Sequence, residues 1–169
     1  MLKDRIKLFL PLLGITSLVL AADQLTKWLV QEIIVPRNPQ VIVVIEGIFE
    51  LSYTTNTGAA FGLMRGQNLI LTIITIVAIG FIFVYYKQYL HSLWMRIALS
   101  VLLGGALGNF LDRIRHGEVT DFLRFRLLPN FWWPTFNLAD VAVCVGAGML
   151  IIHLLRHRGD YDDRKQNES

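Results

Sequence analysis

Between Arg65 and Lys87 the chain reads Gly66-Gln67-Asn68-Leu69-Ile70-Leu71-Thr72-Ile73-Ile74-Thr75-Ile76-Val77-Ala78-Ile79-Gly80-Phe81-Ile82-Phe83-Val84-Tyr85-Tyr86, 21 residues without a charge. Wound as a helix at about 1.5 Å per residue, this run matches the roughly 30 Å of hydrocarbon in a bilayer, so the chain is expected to cross a membrane. Working outward, three further uncharged intervals of 15 residues each occupy 8–22, 97–111 and 141–155. The interval 97–111 lengthens backward through His91, whereas 8–22 and 141–155 reach full length only by carrying an acid at the membrane edge. Four spans follow, at about 8–30, 67–86, 91–112 and 138–156, in a single membrane domain over 1–158. The composition agrees: 54% of the 169 residues are hydrophobic and 17% charged, with a mean hydropathy of +0.49. A soluble globule carries about one quarter charged residues.

Lys3, Arg5 and Lys7 precede an apolar stretch, and 19–22 resembles a small-residue cleavage site, so the N-terminus needs testing as a secretory leader. The helical pattern runs on through Asp23-Gln24-Leu25-Thr26-Lys27-Trp28-Leu29 without a turn signal, which favours a retained first span. Four spans leave both termini on one side. That side carries nine cations and five acids, against seven cations and eight acids on the other. The excess of basic residues orients both tails to the cytoplasm. Membrane topology thus accounts for the net charge of +3, and no nucleic-acid motif is present. The polar tail 159–169 reads as disordered and cytoplasmic. The extracytoplasmic segments are about 31–66 and 113–137.

This topology gathers Asp23, Lys27, Asn109, Asp112, Arg113, Asp121, Asn137 and Asp140 at the extracytoplasmic end. Ionisable groups in or beside spans are costly unless paired or wetted, so such clustering marks a functional site. Each residue also has a structural reading. Asp23 and Lys27 are spaced i,i+4 and can pair on one helix face, or anchor a neighbouring loop. Gly104 and Gly108 form a small-xxx-small pair suited to close helix packing, and Asn109 can bridge helices or orient an active-site group. In Pro134-Thr135-Phe136-Asn137-Leu138-Ala139-Asp140, Asn137 reads as an N-cap with an acid three residues on. Asp121 lies in Val119-Thr120-Asp121-Phe122-Leu123, an alternating, extended pattern whose apolar flanks would raise its pKa. Two carboxylates in unlike environments are what acid-base hydrolysis requires.

Other chemistries have little to carry them. No His-Glu-x-x-His or clustered ligand set is present, so neither a metal nor another cofactor is expected. No serine sits in a nucleophile elbow. Cys144, the lone cysteine, reads as a small buried residue because no basic partner lies near it in sequence. In the first external segment, 41–45 and 48–53 flank Glu46-Gly47 as a small β-hairpin at the membrane surface. Asn56-Thr57-Gly58-Ala59-Ala60-Phe61-Gly62 then supplies turn formers that allow close backbone approach to a peptide. The stretch 127–136, with Phe131, Trp132 and Trp133, reads as an interfacial aromatic belt. The expected architecture is therefore an all-α four-helix transmembrane bundle with a small extracytoplasmic β-hairpin or sheet.

At these residues the chain resembles bacterial lipoprotein signal peptidase, signal peptidase II. The matches are Asp23-Gln24 with Lys27, Asn56-Thr57-Gly58-Ala59-Ala60-Phe61, Gly104-Gly105-Ala106-Leu107-Gly108-Asn109 with Asp112-Arg113, Gly117 with Val119-Thr120-Asp121-Phe122, and Phe136-Asn137-Leu138-Ala139-Asp140. Each is weak alone; together, in order across 23–140, they are specific. The resemblance implies an inner-membrane aspartyl endopeptidase that removes signal peptides from diacylglyceryl-modified prolipoproteins by cutting before the lipidated cysteine. It implies Asp121 and Asp140 as the catalytic pair. Asn56, Gly58, Asn109, Arg113 and Asn137 become supporting or substrate-contacting residues, and Asp23, Lys27 and Asp112 structural or supporting ones. The expected partners are prolipoprotein and membrane lipid, with the chain acting as a monomer. Two rivals remain: a proton-coupled transporter, whose acids would be stepped across the membrane, and a scaffold that uses Gly104, Gly108, Gly146 and Gly148 to bind partner helices.

Overall fold

The computed structural model describes residues 2–58 and 66–156. In chain order the elements are α1 (Leu2–Ile33), β1 (Val41–Ile45), β2 (Phe49–Asn56), α2 (Asn68–Gln88), α3 (Leu93–His116), β3 (Val119–Leu128), β4 (Phe131–Trp132) and α4 (Leu138–Arg156). All four helices are long and apolar enough to cross a membrane. Helices α1, α2 and α3 run past the C-terminal ends of their expected spans, because intrahelical hydrogen bonding continues past the apolar run until a breaker appears, while α4 matches its expected span. In α3 the breaker is Gly117, at φ 76°, whose N–H bonds the Arg113 carbonyl. That left-handed cap is open to glycine without a Cβ penalty. Asp112 to His116 therefore stay helical. At the other end of α3, Ser92 caps the helix by accepting from the Met95 N–H.

Helix α3 packs against α1, α2 and α4. Small residues set these approaches. A Cβ on Gly104 would lie 2.7 Å from that of Val19, one on Gly146 would lie 2.9 Å from the Ala98 carbonyl oxygen, and one on Gly105 would collide with the Ala139 carbonyl. Three of the four glycines of the scaffold reading thus face neighbours inside the bundle, while Gly148 has open space. At one end, Tyr86 is fully buried with Leu12, Ile82, Leu99 and Leu103, and its hydroxyl donates to the Leu8 carbonyl. The outward helix faces are apolar: Leu18 is 70% exposed and Leu69 72%. Such surface is stable against lipid and not against water.

The hairpin read from 41–53 is present as β1 and β2, turning at Gly47 with φ 70°. It is half of a larger sheet. β3 pairs antiparallel with β2, setting Thr54 opposite Asp121 and Asn56 opposite Val119, and β4 extends the order to β1-β2-β3-β4. Asn56 thus closes a strand instead of opening a turn. The aromatic stretch 127–136 contributes the end of β3 and all of β4. Val30, Ile34 and Phe122 seat the sheet on the end of α1.

Cys144 is exposed, not buried. α4 buries Ala139, Ala142 and Gly146, and at 100° per residue position 144 turns away from that stripe. Residues 59–65, which include Ala59 to Gly62 of the turn, and the tail 159–169 read as disordered lie outside the described residues.

Candidate active site

The i,i+4 spacing in α1 sets Asp23 and Lys27 on one face, and the bundle buries both, at 0% and 3% exposure. A buried charge is tolerated only when paired and hydrogen-bonded. Lys27 Nζ donates to Asp23 Oδ2 at 2.8 Å and to Asn109 Oδ1 at 3.2 Å, and pairs with Asp112 Oδ2 at 2.8 Å. The acids also tie down other elements. Asp23 Oδ1 accepts from the Ala139 N–H at 2.9 Å, fixing the start of α4. Asp112 Oδ2 accepts from the Thr120 N–H at 3.2 Å, fixing the start of β3. Both structural readings of Asp23 and Lys27, ion pair and anchor, hold together. Gly108 gives the Asp23 carboxylate its room, since a Cβ there would overlap Oδ2.

The ammonium also decides how Asn109 is turned. It can only donate, so the amide oxygen must face Lys27 and the amide nitrogen must face away. That nitrogen donates to Asp140 Oδ1 at 2.7 Å. The two readings of Asn109, helix bridge and orienting group, are therefore one arrangement. Asn137 is turned by the same logic. As the N-cap of α4 its Oδ1 accepts from the Asp140 N–H at 2.9 Å, and the Asn137 N–H returns to Asp140 Oδ2 at 3.2 Å, a reciprocal capping box. Its Nδ2 is left to donate, to Asp121 Oδ1 at 2.7 Å, Asn109 Oδ1 at 3.1 Å and the Thr120 carbonyl at 3.2 Å. One residue thereby touches both Asp121 and Asp140.

Asp121 projects from β3, outside the helices, and is 2% exposed. Its Oδ2 accepts from Asn56 Nδ2 at 3.0 Å, and Asn56 Oδ1 accepts in turn from the Gly58 N–H at 2.9 Å. Burial, and after it the charge of Asp140, push the Asp121 carboxyl up to about 7, against the lowering effect of the Asn56 and Asn137 hydrogen bonds and of Lys27. Arg113 reaches over the site, with Nη2 3.4 Å from the Gly58 carbonyl and Nη1 3.4 Å from that of Asn109. Every residue of the sequence-derived set thus belongs to one connected polar network at one end of the bundle. The charged groups of the site do not step through the bundle as a transporter relay would.

Gln31 escapes a reading of the sequence, while Gln24 and Thr120 enter it only inside the motifs of the resemblance, with no role assigned. Gln24 donates to Asp112 Oδ1 at 2.9 Å and accepts from Arg115 at 3.0 Å, and Gln31 donates to the Thr120 hydroxyl at 3.2 Å. Thr120 acts mainly through its backbone. Gln24 and Gln31 lie i,i+7 on α1, one helical face repeated after two turns, a faint signal beside the charges. Among the described residues no group of three or more His, Cys, Asp and Glu could hold a metal ion.

Comparison with known proteins bears on this geometry. A family model described as signal peptidase (SPase) II matches residues 15–156. The lipoprotein signal peptidase of Halothermothrix orenii is 40% identical over 140 residues, covering 83% of this chain and 92% of that protein. That of Bacillus subtilis is 40% identical over 146 residues, covering 86% and 93%. A bacterial membrane enzyme solved by the in meso method at 2.3 Å resolution superposes with a TM-score of 0.79 at 30% identity, covering 88% of this chain and 90% of that one. The chain belongs to the signal peptidase II family, aspartic-type endopeptidases of the bacterial membrane that remove signal peptides from prolipoproteins.

Proposed function

We propose that Asp121 and Asp140 are the catalytic pair, and that the chain cuts the peptide bond preceding a diacylglyceryl-modified cysteine. The observation that carries this reading is the shared contact through Asn137, which donates to Asp121 Oδ1 from its side chain and to Asp140 Oδ2 from its backbone. Two carboxylates held this close share a proton, because both cannot ionise readily. With its carboxyl pushed up to about 7, Asp121 is the member that keeps the proton. Its partner Asp140 then serves as the anionic base of the pair.

In the reaction Asp140 takes a proton from water as the oxygen attacks the scissile carbonyl carbon. Asp121 gives its proton to the carbonyl oxygen, forming a tetrahedral diol. Collapse breaks the C–N bond: Asp140 delivers its proton to the leaving cysteine amine, and a diol hydroxyl returns its proton to Asp121. Asn109, Asn137 and Asn56 aim the carboxylates. Asp23, Lys27 and Asp112 hold the elements that bear them, and Arg113 with the Asn56–Gly58 segment faces the substrate backbone. The sheet and the site lie on the extracytoplasmic side, with both termini cytoplasmic and the chain acting alone. Acyl chains then stay in lipid while the scissile bond meets water.

The test is cleavage of a diacylglyceryl-modified prolipoprotein and its unmodified counterpart by wild type, Asp121→Asn and Asp140→Asn. Both variants are expected to fold and to lose cleavage, and wild type to cleave only the modified substrate, in excess chelator as without it. Normal turnover by either folded variant would overturn the assignment. A reporter fused to the C-terminus that is exported would overturn the orientation.

A further inference from the structure

The end of the bundle opposite the carboxylates carries a second, differently built site. Ser92, Trp94, Ile152, His153 and Arg156 line a cleft of about 190 Å³ between the start of α3 and the end of α4, roughly the space of six waters. Its walls are set by specific contacts. Trp94 Nε1 donates to the Met149 carbonyl at 2.9 Å, which fixes the indole against α4. The Arg156 guanidinium stands over that ring at 6.0 Å, and His153 meets the Tyr89 ring edge-on at 5.8 Å. Among the described residues the lining holds two basic side chains and no carboxylate. Ile152, part of the lining, presents exposed apolar surface, 42% accessible.

Depth identifies the occupant. Arg156 follows Asp140 by sixteen residues on α4, about 24 Å along the axis. The two sites therefore sit near opposite faces of a hydrocarbon layer about 30 Å thick. A tryptophan and a tyrosine beside an arginine at that level are the residues found where headgroups begin. A guanidinium held near an indole by cation–π attraction keeps N–H groups for a phosphate.

We propose that this cleft binds the phosphate of an anionic phospholipid, whose acyl chains lie along Ile152. Arg156 supplies the charge-assisted hydrogen bonds, and Trp94 holds Arg156 in place. A substrate peptide does not suit it, since the cutting chemistry is a membrane thickness away.

The test uses the full chain, delipidated in detergent and titrated with phosphatidylglycerol, phosphatidylcholine or inorganic phosphate, with bound lipid counted by native mass spectrometry. Phosphatidylglycerol is expected to bind at least about tenfold more tightly than phosphatidylcholine, and Arg156→Gln to remove that preference, the range of one charge-assisted hydrogen bond. Trp94→Phe keeps a ring but loses the bond to Met149, and is expected to weaken phosphatidylglycerol binding less. Prolipoprotein cleavage is expected to persist in both variants, which also reports that they fold. Equal binding of the two lipids, or an undiminished preference in Arg156→Gln, would overturn the proposal. Displacement of phosphatidylglycerol by an equal concentration of inorganic phosphate would assign the site to a free anion and overturn the lipid.

Discussion

Asp121 makes the stability of the protein depend on pH in a direction opposite to that of most carboxylates. Its ordinary value is 3.8 and its folded value about 7. Since it lies on β3, outside the membrane helices, the water-exposed unfolded chain is a fair reference. A raised folded value means that the folded state binds the proton more tightly. The resulting stabilisation is complete below about pH 4 and is lost as pH rises through about 7. Between pH 6 and 8 the unfolded group is already ionised, while the folded group goes from about nine-tenths to one-tenth protonated. The linkage integral over that window is about one proton times one pH unit, or about 1.4 kcal/mol of lost stability. For a chain of 169 residues this is about 3–5 °C in thermal midpoint. Asp121→Asn keeps the shape and removes the titration, so its midpoint is expected to lose that component of the slope and to exceed wild type at pH 8. Asp140→Asn removes the second-largest cause of the upward shift, so the wild-type decline is expected to move to lower pH. The assay is thermal unfolding in one detergent at pH 5 to 9, followed by tryptophan fluorescence. Identical slopes for wild type and Asp121→Asn would refute the reasoning, because Asp121 would then be ionised throughout.

Three further outcomes follow from the same network. Lys27→Met leaves Asp23 and Asp112 buried without their ammonium and is expected to cost about 3–5 kcal/mol; a loss below about 1 kcal/mol in thermal unfolding would mean that the pair is screened by water. Gly108→Ala drives a methyl into the Asp23 carboxylate, at about 1–3 kcal/mol, whereas Gly148→Ala meets nothing within 4 Å and is expected to stabilise by up to about 1 kcal/mol; paired midpoints check the contrast. Asn109→Ala strips a hydrogen bond from Lys27 and another from Asp140, and kcat/KM on prolipoprotein is expected to fall about 10- to 100-fold, read by steady-state cleavage.

Much of this protein is legible from its residues in order. An uncharged run such as 66–86 has one stable form in a bilayer, a helix, because every backbone group must bond within the segment. The Asn137-to-Asp140 box is equally local, and the structure keeps it to the atom. The hairpin around Gly47 is read the same way, from a turn between two β-branched runs. Where sequence reading slips, the missing information is long-range. Cys144 looks buried in an apolar run, but in lipid an apolar run has no inside until a neighbouring helix supplies one. Gln24 enters the sequence reading only as the neighbour of Asp23 in a motif, but it joins Asp112, 88 positions away.

By itself the sequence determined how many apolar helices form, that Asn137 caps the last of them, and which charged residues share an end of the bundle. These follow from hydrogen-bond closure and from the cost of charge in hydrocarbon, both of which act within a few turns of chain. Only the tertiary structure decided that β3 pairs with β2 to bring Asn56 to Asp121, and that Lys27 sits between two acids from different helices. It alone decided which way the amides of Asn109 and Asn137 point. An amide is ambiguous until a group that can only donate, here the Lys27 ammonium, stands on one side of it, and that neighbour comes from 82 residues away.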